Sequence, residues 1–190
     1  MRAGLDHGFD RLSDRTGGST FLGQYFDYEA KATQAVVPAG ASYVFAEAVG
    51  CGGLPQAAFT LGTGSAGASD GIFAVEPGQT ISYSVAKEVS VTPTTVTIAG
   101  QIVLSAGSSS MAGVNGTGKY PGTFNRAGGR LGGPRFTNFN VPPGIGGGAE
   151  RQSSGTGSGG GTGAVCLSYF GTYDAALAFA NSLYNGAWVP

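Results

Sequence analysis

The residues able to do chemistry are few and dispersed. The single histidine, His7, stands in a charged stretch with Asp6 and Asp10 as its near neighbours. A metal centre would need cysteines or clustered carboxylates to complete the ligand set, so His7 is read as a surface or capping residue, and no metal or cofactor is expected. Gly67-Ala68-Ser69-Asp70-Gly71 has the letters of a nucleophile elbow. That chemistry needs a later histidine to take the serine proton, and no histidine follows Ser69. Gly62-Thr63-Gly64-Ser65-Ala66-Gly67 spells a dinucleotide fingerprint, but it lacks the following long helix whose N-terminus would hold a pyrophosphate. The carboxylates Asp27, Glu29, Glu47, Asp70, Glu76, Glu88, Glu150 and Asp174 are scattered. Glycan hydrolysis needs two of them opposed across a cleft, and nothing in the sequence selects a pair. A small glycan hydrolase is therefore the weakest alternative. No catalytic residue is assigned, and the chain is not expected to be an enzyme.

One local asymmetry remains. Between residues 119 and 151, Lys119, Arg126, Arg130, Arg135 and Arg151 face only Glu150, with Tyr120, Phe124, Phe136 and Phe139 interleaved. Cations beside aromatic rings on Gly-rich loops suit an anionic or sugar surface, or single-stranded nucleic acid. Lys119, Arg126, Arg130, Arg135, Phe136 and Phe139 are the candidate surface-binding residues, and a carbohydrate-binding, lectin-like module is the first alternative reading. The competing explanation is that the rings anchor long loops and the arginines solvate them. A net charge of −1 offers no global field for nucleic acid or an anionic membrane, and neither partner is expected. Cys51 and Cys166 belong to no Cys-x-x-Cys pair. They are read as two small buried residues, with a disulfide between core strands as the alternative. Asn115-Gly116-Thr117 is read as a turn.

These residues must be held by a β-rich scaffold. Charged residues make up 11% of the chain while 41% are hydrophobic, which argues for folding rather than disorder. Gly is 36 of 190 residues, without the three-residue period of collagen. Residues 1–31 form a charged N-terminal arm with no apolar signal region, and Asp6 to Arg15 reads as a short helix with Leu5, Phe9 and Leu12 on one side. Residues 32–170 form the main domain. Ser42–Val49 alternates, with Tyr43, Phe45 and Glu47 on one face and Val44, Ala46 and Ala48 on the other. Ile72–Val75, Thr80–Val85, Val89–Thr97 and Ile98–Leu104 follow as strands broken by Pro and Gly. Ala164–Phe170 is apolar throughout and is expected at the centre of a sheet. Short strands at this spacing indicate an all-β, sandwich or jelly-roll-like domain.

From Ser105 to Gly163 glycines cluster, as at Gly128-Gly129, Gly146-Gly147-Gly148 and Gly159-Gly160-Gly161. Two readings stand: flexible loops, or extended polyglycine-II-like segments packed side by side and joined by amide–carbonyl bonds. Residues 171–190 make a C-terminal helix and tail. Asp174 is the expected helix cap, Tyr173, Leu177, Ala180 and Tyr184 form the stripe, and Trp188 is an exposed anchor. Leu5, Phe9, Leu12, Leu177, Tyr184 and Trp188 are the candidate docking residues.

Ala35-Val36-Val37-Pro38-Ala39-Gly40-Ala41-Ser42-Tyr43-Val44 is similar to the opening of the glycine-rich domain of bacteriophage tail fibres and related virion structural proteins. Gly50-Cys51-Gly52-Gly53 resembles the small-residue motif after its first strand, and Val75-Glu76-Pro77-Gly78-Gln79-Thr80-Ile81 resembles its Pro-Gly-Gln-Thr turn. The glycine clusters from 128 to 163 resemble the family's middle, and Gly163–Tyr169 its closing strand. The resemblance implies a virion location and a fibre, spike or capsid-decoration subunit. Its implied partners are further copies of itself, as a homotrimer, other virion proteins, and a host-surface glycan. It implies no catalytic residues.

Overall fold

The computed structural model describes residues 21–27, 32–52, 66–87, 92–109, 116–121, 162–184, 186 and 188–190. These residues are mostly β-strand, with one short helix: β1 (Phe21–Asp27), β2 (Gln34–Val36), β3 (Tyr43–Val49), β4 (Ala68–Ala74), β5 (Thr80–Ser84), β6 (Thr94–Ile98), β7 (Gln101–Ala106), β8 (Ala164–Phe170) and α1 (Tyr173–Leu183). The strands make two antiparallel sheets, in the orders β1-β8-β3-β4 and β2-β5-β6-β7. Among the described residues no helix is long and apolar enough to cross a membrane.

The turns follow from local chemistry. Ala99 and Gly100 both have positive φ (51° and 78°) and join β6 to β7. That is the two-residue hairpin geometry whose twist matches the flanking strands. Glu76-Pro77-Gly78-Gln79 turns the chain before β5. Proline presets the first corner, Gly78 takes φ 80°, and the Gln79 amide donates to the Glu76 carbonyl at 3.0 Å.

One core takes side chains from both sheets. Val44, Ala46 and Ala48 of β3 and Val165, Leu167 and Tyr169 of β8 meet Ile81, Tyr83, Val96, Ile98 and Leu104 of the second sheet. A second core lies on the other face of the first sheet, where Phe45 and Phe170 pack under Ala176, Phe179 and Ala180 of α1 and under Trp188. β8 is thus covered on both faces and buried at all seven positions, which is why its sequence lacks alternation. It lies between β1 and β3, a central position as its apolarity requires.

Several expectations need correction. Phe21–Asp27, assigned to the arm, is a sheet strand: Phe21 stacks on Phe179 at 6.2 Å, and Tyr25 packs against the shared core. A bulge between Phe21 and Gly23 breaks the alternation that would have marked it. β4 starts at Ala68 rather than Ile72, so Ser69 sits within a strand and not on an elbow. The helix cap is Thr172, whose side chain accepts from the Ala175 amide, with Asp174 inside the first turn. The helix buries Ala176, Phe179 and Ala180, a stripe rotated from the expected one, and Tyr173 stays exposed. Cys51 and Cys166 are buried and outside any disulfide, as the first of the two readings expected. The 6–15 helix, with Leu5, Phe9 and Leu12, lies outside the described residues, as do the glycine clusters from 128 to 161.

Candidate functional site

The strand register puts three ionisable side chains in one row on the helix-covered face of the first sheet. Cys166 of β8 pairs with Glu47 of β3, and Glu47 pairs with Asp70 of β4. Directly opposed residues on neighbouring strands hold their Cβ atoms about 5 Å apart. All three side chains are buried, Glu47 to 2% and Asp70 to 6% relative exposure.

Asp70 is the hub. Its Oδ1 accepts from Lys119 Nζ at 2.6 Å, from the Trp188 indole at 3.1 Å and from the Tyr120 hydroxyl at 3.4 Å. Its Oδ2 accepts from the Tyr184 hydroxyl at 2.5 Å. Four donors from three separate segments therefore converge on one carboxylate, and each is a contact that a buried charge requires. Lys119 also donates to the Val189 carbonyl and lies 4.7 Å from the Trp188 ring centroid and 5.4 Å from that of Tyr120. Tyr120 and Tyr184 stack at 5.8 Å, and Trp188 meets Phe45 edge-on at 5.9 Å. The backbone of Ala68 and Tyr120 exchanges two bonds of 2.9 Å, which carries the 116–121 segment against β4 and aims Lys119 at Asp70.

Glu47 differs from Asp70. Its Oε2 has no hydrogen-bond partner. Burial, and then the charge of Asp70, hold its carboxyl well above the ordinary range, which favours the protonated form. Burial and the charge of Glu47 push the Cys166 thiol up. Burial, then Asp70, raises the Tyr120 phenol to about 12 and lifts Tyr184 further. Burial thus disfavours the charged form of each of these groups, while Asp70 and Lys119 make an ion pair at 2.6 Å.

A second polar group stands on the opposite face of β1. Asp27 Oδ2 accepts from the Tyr83 hydroxyl and from the Ala32 amide, each at 3.1 Å, and the Tyr25 and Tyr83 hydroxyls bond to each other. These contacts tie β1 of the first sheet to β5 of the second. Burial, followed by the bond to Tyr25, raises Tyr83. Ser69 is likewise structural, its hydroxyl donating to the Ser105 carbonyl at 2.7 Å and accepting from the Lys119 amide at 3.1 Å.

Glycines pack backbone to backbone beside this cluster. The Gly50 amide donates to the Gly67 carbonyl and the Gly67 amide to the Gly107 carbonyl, each at 3.0 Å, and the Gly107 amide to the Thr117 carbonyl at 2.6 Å. A Cβ at Gly50, Gly67, Gly107 or Gly116 would collide with a neighbouring backbone. Only glycine allows these segments to approach so closely.

The structure places the candidate residues unevenly. Lys119 is exposed, and its ammonium is bonded to Asp70 and to the Val189 carbonyl of the tail. Trp188, expected exposed, is 7% exposed and docks on its own chain, because Asp70 supplies an acceptor for its indole beside the Phe45 ring. Tyr184 joins the same acceptor, and Leu177 packs beside the helix-covered core. Arg126, Arg130, Arg135, Phe136 and Phe139 lie outside the described residues. Sequence reasoning missed the Glu47–Asp70 row. The shared face of Tyr43, Phe45 and Glu47 was legible, but the partner of Glu47 depends on register. Among the described residues no group of three or more His, Cys, Asp or Glu could hold a metal ion. Comparisons with family models, curated proteins and solved structures gave no match.

Proposed function

We propose that this chain is a structural subunit of a virion, a fibre, spike or capsid-decoration component that assembles with copies of itself and with other virion proteins and contacts a host-surface glycan. In this reading the two sheets form a β-sandwich, and its glycine-rich loops extend the backbone-to-backbone packing of Gly50, Gly67 and Gly107. The observation that carries it is the use made of the convergent polar groups. Asp70, Lys119, Tyr120, Tyr184 and Trp188 tie three segments of chain together and shut the carboxylate away from solvent. Such a mutually bonded cluster rigidifies the fold and holds shape. The glycine-rich resemblance supports the virion assignment.

The test is assembly. Light scattering on the purified chain is expected to give a multimer, and imaging of particles to place it on their surface. A monodisperse monomer that binds no other particle component overturns the proposal. Attachment is read on a glycan array, where Arg130→Ala with Arg135→Ala is expected to abolish binding.

A second reading has one observation behind it: two carboxyls, Glu47 and Asp70, paired on neighbouring strands, with burial disfavouring the charged form of Glu47, are the kind of couple that glycan hydrolysis uses. Polysaccharide cleavage that Glu47→Gln and Asp70→Asn both abolish would establish it. The cover of Trp188 and Tyr184 over Asp70 counts against it.

A further inference from the structure

We propose that Glu47 and Asp70 form a proton-operated latch for the tail: while Glu47 holds its proton, Trp188 stays clamped on the first sheet, and loss of that proton frees residues 188–190 with both sheets intact. The inference does not depend on the virion reading.

The geometry has three parts. Glu47 and Asp70 are paired across β3 and β4 in a layer that excludes water. Asp70 is also the acceptor that holds the tail, through the Trp188 indole directly and through Lys119, which reaches the Val189 carbonyl. Among the described residues Glu47 Oε2 is buried without a hydrogen-bond partner, where a charge is costly.

Among the described residues the ionisable groups facing Glu47 come from four elements. β4 presents Asp70, β8 presents Cys166, the C-cap of α1 presents Tyr184, and the 116–121 segment presents Lys119 and Tyr120. The thiol and both phenols are pushed toward their neutral forms, so Lys119 is the one cation of the set. A proton lost from Glu47 would leave two carboxylates sharing that single ammonium. Water must then enter, and the cheapest cover to lift is the tail. Val189 is 67% exposed, and Trp188 is held by one hydrogen bond and ring contacts. By contrast, α1 is fastened by Phe179 against Phe21, Phe45 and Phe170. Burial and Asp70 set the direction: the latch is closed at low pH and opens as pH rises.

Trp188 is the sole tryptophan and reports directly on the latch. Its emission and acrylamide quenching are followed from about pH 5 to about pH 9, below the ordinary tyrosine and lysine range. The expected result is a red shift with several-fold greater quenching, at constant far-ultraviolet circular dichroism. Glu47→Gln, permanently neutral, is expected to keep Trp188 buried throughout. A flat wild-type profile, or the same transition in Glu47→Gln, overturns the latch. If that variant fails to fold, carbon-13 NMR of the wild-type Glu47 carboxyl decides. Its midpoint must coincide with that of the quenching, and a mismatch overturns the proposal.

Discussion

The two sheets are built from the same kind of chain and differ in what covers them. The second sheet has one buried face. Ile81 and Tyr83 of β5 point to the core while Thr80, Ser82 and Ser84 are exposed, and Thr94, Val96 and Ile98 of β6 do the same with Thr95 and Thr97 half-buried outside. The first sheet is buried twice, by the second sheet on one face and by α1 with Trp188 on the other. β3 and β8 therefore read as nearly continuous apolar runs. The double burial also explains where the unusual chemistry lies. A carboxylate on the outer face of the second sheet would be solvated, whereas Glu47 and Asp70 on the outer face of the first are trapped under a second layer and must find partners or stay protonated.

The sharpest way to break this comparison is to remove the second layer. Phe179 fills the space between α1 and the first sheet, in contact with Phe21, Phe45 and Phe170. Phe179→Ala is expected to cost about 3–5 kcal/mol, the usual range for deleting a buried aromatic side chain, measured by urea unfolding. A loss under about 1 kcal/mol would mean that α1 is not part of the stabilising core.

The glycine contacts test a join between the sheets rather than a layer. Gly67 follows Ala66 at the entry to β4 and bonds to Gly50 and Gly107, bridging the first sheet to the end of β7. A Cβ there meets the Thr117 backbone, which cannot rotate away as a side chain would. Gly67→Ala is expected to cost about 1–3 kcal/mol by overpacking. Ala at Gly78, where nothing lies near a Cβ, would register only the positive φ. The pair of variants separates close approach from backbone conformation.

Sequence and structure agree where one physical cause acts alone. Thr80–Ser84 alternates because one face is wet. The burial of both cysteines follows from their small apolar character, whereas the turn at Ala99-Gly100 falls inside the stretch read as the strand Ile98–Leu104. They part where two causes compete. A bulge at Phe21/Gly23 hid β1. Ala68–Gly71 looks like loop in a glycine-rich stretch but becomes strand because β3 offers it a full register of partners. The Asp70 hub was not legible because its donors come from positions about 50 to 118 residues distant, brought together only by sheet order. Trp188 looked like an anchor for a partner because nothing local reveals the acceptor waiting on β4.

The effect of pH sharpens the comparison further. Glu47 has a folded value raised above its unfolded one, by burial first and Asp70 second. The folded chain therefore binds its proton more tightly. That contribution is fully present below the ordinary carboxyl range and is lost as pH rises through the raised value. Thermal midpoints are expected to fall with rising pH across that window. Glu47→Gln is expected to flatten the slope and to raise stability at neutral pH, since it removes the need to hold a proton opposite Asp70. An unchanged slope in that variant would assign the dependence to another group.

The smallest effect belongs to the wet face of the second sheet. Gln34, Ser82, Thr97 and Ile102 form one row across β2, β5, β6 and β7, and Ser84, Thr95 and Ser105 form another, with no charged side chain in either. Ser82 is exposed at the middle of β5. Ser82→Thr adds a β-branched side chain suited to a pleated surface and changes no buried contact. Its unfolding free energy is expected to stay within about 0.5 kcal/mol of wild type. A larger loss in the isolated chain would mean that this face is packed, and the contrast between a singly and a doubly covered sheet would fail. If the face is instead covered in an assembly, the same substitution leaves unfolding of the monomer unchanged and alters association alone, which light scattering at two concentrations separates.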